Sequence, residues 1–166
     1  MVLKNIKIAV LSILLTIFAV GQIILAFVFY KDGGNAFIRN TGWVVLLISG
    51  IFGWLPIYTF KKYGRTPEGK SYVHTAELVD KGIYAIVRHP QYLAGILMGA
   101  ALYLIAQHWI VGLFGIVCII IYIYSTFDEE KSSIEKFGNK YKKYMARVPG
   151  FNFIKGLIKI LQNSNK

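Results

Sequence analysis

The sequence predicts an all-α fold: an integral membrane bundle of four transmembrane helices, with a polar segment on the cytoplasmic side and amphipathic helices at the C-terminus. Charge spacing is the first reason. Residues 6–30 carry only Lys7, residues 41–60 carry no charge, and an uncharged run of 37 residues fills 91–127. A membrane helix needs about 20 apolar residues, so the last run holds two, divided at its most polar point, Gln107-His108-Trp109. The expected spans are 6–30, 41–60, 91–106 and 109–127. Composition is the second reason. The 166 residues are 55% hydrophobic with a mean hydropathy of +0.52, too apolar for a water-soluble domain, and the length allows one domain, 1–166. The third is the distribution of cations. Of 19 Lys and Arg, 17 lie in the N-terminus, in residues 61–88 and after Phe127, leaving Lys31 and Arg39 in the first loop and none in the 107–109 turn. The positive-inside rule then places both termini in the cytoplasm, as an even number of spans requires. The cell (inner) membrane is the expected location.

The net charge of +11 flanks spans and faces anionic lipid, so it argues for membrane lipids as partners and against nucleic acid. Cys118 stands mid-span among Val and Ile, where a lone thiol packs as a small hydrophobe. His74, His89 and His108 lack metal-ligand spacing, and His108 falls at the opposite membrane face from the other two, so no metal site is expected. A secretory signal over the first span is disfavoured by its long apolar core and the lack of a convincing small-x-small cleavage site.

Within the spans, Gln22 is expected to hydrogen-bond a neighbouring helix. Gly50 and Gly53 allow close helix approach, and Pro56 should kink the second span. Gly64, Pro67 and Gly69 make 61–70 irregular. Residues 71–87 are too polar for the bilayer, yet Val73, Leu78, Val79, Ile83, Ile86 and Val87 need a packing partner. Ile134, Phe137, Tyr141, Tyr144, Met145 and Val148 have helical spacing and predict one surface helix, ended by Val148-Pro149-Gly150. Residues 151–161 then place Phe153, Ile154, Leu157, Ile158 and Leu161 on one face, flanked by Lys155 and Lys159, as in an interfacial helix.

The chemistry concentrates at Arg88-His89-Pro90-Gln91-Tyr92. Pro90 suits the first turn of a helix, where its missing N–H costs nothing, and a helix start with two basic side chains favours an anionic ligand group. Glu77-Leu78-Val79 with Tyr84, and Asp128-Glu129-Glu130, fall on the same side of the membrane. Acids at a helix end are ordinarily solvated, and an Arg-His pair at a boundary is ordinarily a headgroup anchor. Their order, spacing and common side argue for a shared site.

Gly82-Ile83-Tyr84, Arg88-His89-Pro90-x-Tyr92-x-x-Gly95, an apolar hairpin, Glu129-Glu130 and Phe137-Gly138-x-x-Tyr141-x-x-Tyr144-x-x-x-Val148-Pro149 together resemble the isoprenylcysteine carboxyl methyltransferase family. The resemblance covers residues 77–154, and the phospholipid methyltransferases share the general arrangement. It implies an S-adenosylmethionine-dependent methyltransferase acting on a lipophilic small-molecule or lipid acceptor, with the cofactor held by residues 71–95 and 125–150. By position, Glu77, Leu78, Val79 and Tyr84 would surround the nucleoside. His89, Pro90, Gln91 and Tyr92 would hold the cofactor at the helix start, with Glu129 opposite. His89 and Glu129 are the catalytic candidates, with Glu130 an alternative, since an amine or phenol acceptor needs a base. The prenylcysteine enzymes carry an arginine where this chain has Ser125, the candidate substrate-binding position, and a histidine where it has Ala76. Two other readings stand beside this one. The membrane sterol reductases also carry an Arg-His-Pro-x-Tyr segment and would bring NADPH, and a non-enzymatic membrane scaffold would need no cofactor.

Overall fold

The computed structural model describes residues 2–30, 34–64 and 77–164. Lys31, Pro67, Gly69, Val73, His74 and Ala76 lie outside the described residues. The helices are α1 (Val2–Val28), α2 (Ala36–Tyr63), α3 (Pro90–Ala106), α4 (Trp109–Phe137), α5 (Asn139–Arg147) and α6 (Phe153–Ser164), with a 3₁₀ turn at Gly82–Ala85. No strand occurs among the described residues. The all-α class holds, and three helices, α1, α2 and α4, are long and apolar enough to cross a membrane. The apolar α3 is shorter, at 17 residues, or about 26 Å at 1.5 Å per residue, against a hydrocarbon core of about 30 Å. Pro90 opens it and Gln107, at φ +49°, closes it, so the expected break at 107–109 falls where the sequence placed it.

Two boundaries differ from expectation. Helix α4 runs ten residues past 127, to Phe137, because Glu129, Glu130, Lys131, Glu135 and Lys136 are good helix formers and no Gly or Pro intervenes before Gly138. The single surface helix expected across 134–148 is instead divided at Gly138, whose backbone (φ 57°, ψ −133°) is open only to glycine.

The chain forms two compact units, Met1–Ser49 with Ala94–Ser125, and Gly50–Leu93 with Thr126–Lys166. In the first, Gln22 is fully buried and its Nε2 donates to the carbonyls of Gly99 (2.9 Å) and Val111 (3.1 Å). One amide thereby ties α1 to both α3 and α4. Ala26, Ala106 and Val111 pack beside it with Leu25, Phe29 and Leu102. Ile13, Ile17, Ile24 and Phe27 point outward from α1, as expected where the surrounding medium is lipid. The second unit is organised by Tyr141, Tyr144 and Val148, which pack on Leu78, Ile134, Phe137 and Met145.

Gln22→Leu should lower stability by about 1 kcal/mol, since an interhelical hydrogen bond in a membrane protein is worth about 0.6 kcal/mol on average and Gln22 makes two. Unfolding of the purified protein in detergent measures this; an unchanged midpoint would deny the amide its tying role.

Candidate functional site

The site lies in the second unit and is built from the start of α3. Arg88 and His89 donate their backbone N–H groups to the carbonyls of Pro149 (2.9 Å) and Gly150 (3.1 Å), so the chain after α5 clamps the residues before α3. Tyr144 Oη donates to the Tyr84 carbonyl (2.7 Å), and Arg147 pairs with Asp80 (2.6 Å). These contacts fix α5 against residues 80–89. Pro90 is buried at the first turn of α3, and the Leu93 N–H closes the helix onto the His89 carbonyl (3.0 Å).

Glu130 is the acid at the centre. Its Oε1 lies 2.9 Å from His89 Nε2 and 2.7 Å from Arg88 Nη1. The His89 side chain is 1% exposed and that of Glu130 is 19% exposed. A carboxylate accepting from Nε2–H leaves the lone pair of a neutral imidazole on Nδ1. That Nδ1 is buried and, among the described residues, has no hydrogen-bond partner, and neither does Arg88 Nε. Arg88 Nη1 approaches Glu130 closely but out of line for a hydrogen bond, so the contact is an ion pair. Glu129, half-exposed, sits 3.9 Å from Nδ1. The Tyr92 ring meets His89 edge-on at 5.8 Å and Phe151 flanks it at 5.7 Å.

The residues expected from sequence fall into four groups. His89, Pro90, Tyr92 and Glu129 gather here, while Gln91 turns to the exposed face. Glu77 and Leu78 line a separate cleft of about 600 Å³ with Asp80, Phe137, Tyr144 and Arg147. Val79 and Tyr84 are buried in packing, and the Tyr84 ring stacks on Phe60 at 4.6 Å. Ser125 belongs to the first unit and returns its hydroxyl to the Ile121 carbonyl (2.8 Å), a bond within its own helix. From the sequence, Glu129 is the cofactor contact and Glu130 either a solvated acid or an alternative base; in the structure Glu130 makes the direct contacts with Arg88 and His89. Adjacent acids differ by about 100° around a helix, and nothing local says which one faces Arg88. Asp80, Phe151 and the 149–150 carbonyls gave no sequence signal.

The phospholipid methyltransferase family model matches residues 41–140, and the chain belongs to that family. No curated protein matches it. Family and apolar helices together make methyl transfer in a membrane the activity class.

Removing Glu130 leaves two buried bases without their acid. Breaking such a pair costs roughly 3–5 kcal/mol, whereas an exposed one contributes about 0–1 kcal/mol. Glu130→Ala should therefore destabilise the protein in detergent far more than Glu129→Ala, and equal unfolding midpoints would reassign the central acid.

Burial, with Glu130 and Glu129 nearby, pushes the Tyr141 phenol up to about 12, and burial pushes Tyr144 up as well. An unfolded tyrosine titrates near 10. The folded state thus holds the proton more tightly, and its advantage is complete below about pH 10 and is lost as pH rises through about 12. Thermal unfolding across this range should show the loss, and Tyr141→Phe should reduce it.

Proposed function

We propose that the protein is an integral membrane methyltransferase that uses S-adenosylmethionine and methylates a lipophilic acceptor at the cytoplasmic face. The reading rests on one observation above the others: His89 Nδ1 and Arg88 Nε are buried without partners at a helix start, beside the half-exposed Glu129 carboxylate. An unsatisfied buried polar group costs about 1–3 kcal/mol, and a ligand carrying both a carboxylate and an ammonium relieves both positions. When bound, S-adenosylmethionine supplies an electrophilic methyl group. Arg88 and the α3 terminus would hold its carboxylate, and Glu129 its ammonium or hydroxyls. The cleft lined by Glu77, Leu78 and Phe137 has the volume of a small-molecule site and would take the nucleoside. Tyr84 and Val79 serve as its packing support.

The chain's own contribution to chemistry is proton handling and exclusion of water. Glu130 fixes the His89 ring and keeps the proton on Nε2, so Nδ1 can take the cofactor ammonium, leaving the half-exposed Glu129 carboxylate to accept a proton from an amine or hydroxyl acceptor. Tyr92 and Phe151 shield the imidazole. The division of 17 basic residues from 2 supports both termini being cytoplasmic and the site facing that compartment. The family match supports methyl transfer over a nicotinamide-dependent reduction.

The sequence resemblance sets Ser125 where the prenylcysteine enzymes carry an arginine, so this chain offers no cation at that position to an acceptor carboxylate, whose unpaired burial costs several kcal/mol; a neutral or amine-bearing acceptor is the better fit. Two measurements test the proposal. Titration should show binding of S-adenosylmethionine and none of the reduced nicotinamide cofactor, weakened about 10- to 150-fold in Glu129→Ala and His89→Ala, as loss of a charge-assisted contact predicts. Labelled methyl should then reach amine lipids rather than a prenylcysteine analogue. Affinity unchanged in both variants removes the site; turnover of the prenylcysteine analogue alone removes the acceptor class.

A further inference from the structure

Helix α6 is amphipathic, yet it does not turn its apolar face inward. Its inward contacts are made by Phe153, whose ring lies 5.3 Å from that of Phe52, and by Gly156, which is pressed so closely on the Ile86 carbonyl that a Cβ would collide with it. Ile154, Leu157, Ile158 and Leu161 follow the i, i+3, i+4, i+7 spacing of one helical face and are 59%, 42%, 49% and 66% exposed. At about 100° per residue, this face is turned away from Gly156. Phe52 belongs to the apolar helix α2, so the contact with Phe153 sets the start of α6 against a membrane-crossing element. From Lys136 to the C-terminus the chain has eight basic residues and no acid.

We propose that α6 lies in the headgroup–acyl boundary of an anionic lipid leaflet with this face immersed, and that its seating holds residues 149–151 against Arg88 and His89. The occupant is lipid because α6 starts against a membrane-crossing helix through Phe153 and Phe52, and the lipid is anionic because every charged side chain from Lys136 onward is positive. The coupling is covalent and short. Pro149 and Gly150 accept the Arg88 and His89 amides, Phe151 flanks the imidazole, and α6 begins at Phe153. This coupling does not depend on which group the site transfers.

The test uses the full chain in single-copy nanodiscs, with Cys118→Ala as background and a fluorophore on Leu157→Cys or, on the polar flank, Lys155→Cys. With anionic lipid, a nitroxide-bearing lipid should quench the 157 label, and an aqueous quencher should quench the 155 label. Hydrogen exchange on the unlabelled wild-type chain should show the Arg88 and His89 amides protected at least about tenfold more in anionic than in zwitterionic discs, as expected when local opening is suppressed. Leu157→Asp with Leu161→Asp should abolish that difference. Equal aqueous quenching of both labels overturns the proposal. Shielding of position 157 only in two-copy discs overturns it in favour of a second chain. Shielding with unchanged amide protection overturns the coupling.

Discussion

One carboxylate, Glu130, joins the buried imidazole of His89 to the largely buried guanidinium of Arg88. Withdrawing an ion from water costs several kcal/mol after relaxation, so the Arg88 guanidinium depends on an acid arriving at a fixed place. That requirement explains the length of α4. Had the helix ended at Phe127, where the apolar run stops, the acids would have been left on a loop. Carried to Phe137, the helix presents Glu130 in a rigid position. The pairing of Arg88 and His89 backbone with Pro149 and Gly150 supplies the opposing support, so acid and bases are both held from behind.

The same construction leaves the site incomplete in a specific way. Glu130 satisfies one nitrogen of His89 and neutralises Arg88, but Nδ1 and Nε keep no partner. Buried polar atoms are nearly always paired, so the proposed ligand site rests on these orphans on adjacent residues. Nearby tyrosines take the opposite role. Tyr144 gives its hydroxyl to the Tyr84 backbone, and the Tyr84 ring gives its face to Phe60. An aromatic residue beside a binding motif need not be a ligand platform.

Much of the fold was legible because hydrophobic periodicity and proline position report directly on helices. The start of α3 at Pro90, its end at Gln107 and the apolar stripe of α6 follow from local sequence. The extension of α4 was hidden because apolarity marks where a helix leaves lipid, not where it ends. The division at Gly138 was hidden because Ile134 to Val148 keep helical spacing across a residue with non-helical backbone. At the site, His89 was legible from its place before a helix-opening proline. The choice between Glu129 and Glu130 depended on tertiary rotation about α4, which adjacent residues cannot reveal.

Gln22 has a consequence for biosynthesis. Its amide side chain is synthesised with α1, yet its acceptors, Gly99 and Val111, lie 77 and 89 residues further along the chain. Until both have been made and inserted, α1 carries a polar group without its native partners. Docking of α1 is therefore a late event, and a nascent chain halted before residue 111 holds an α1 that cannot complete its contacts with α3 and α4.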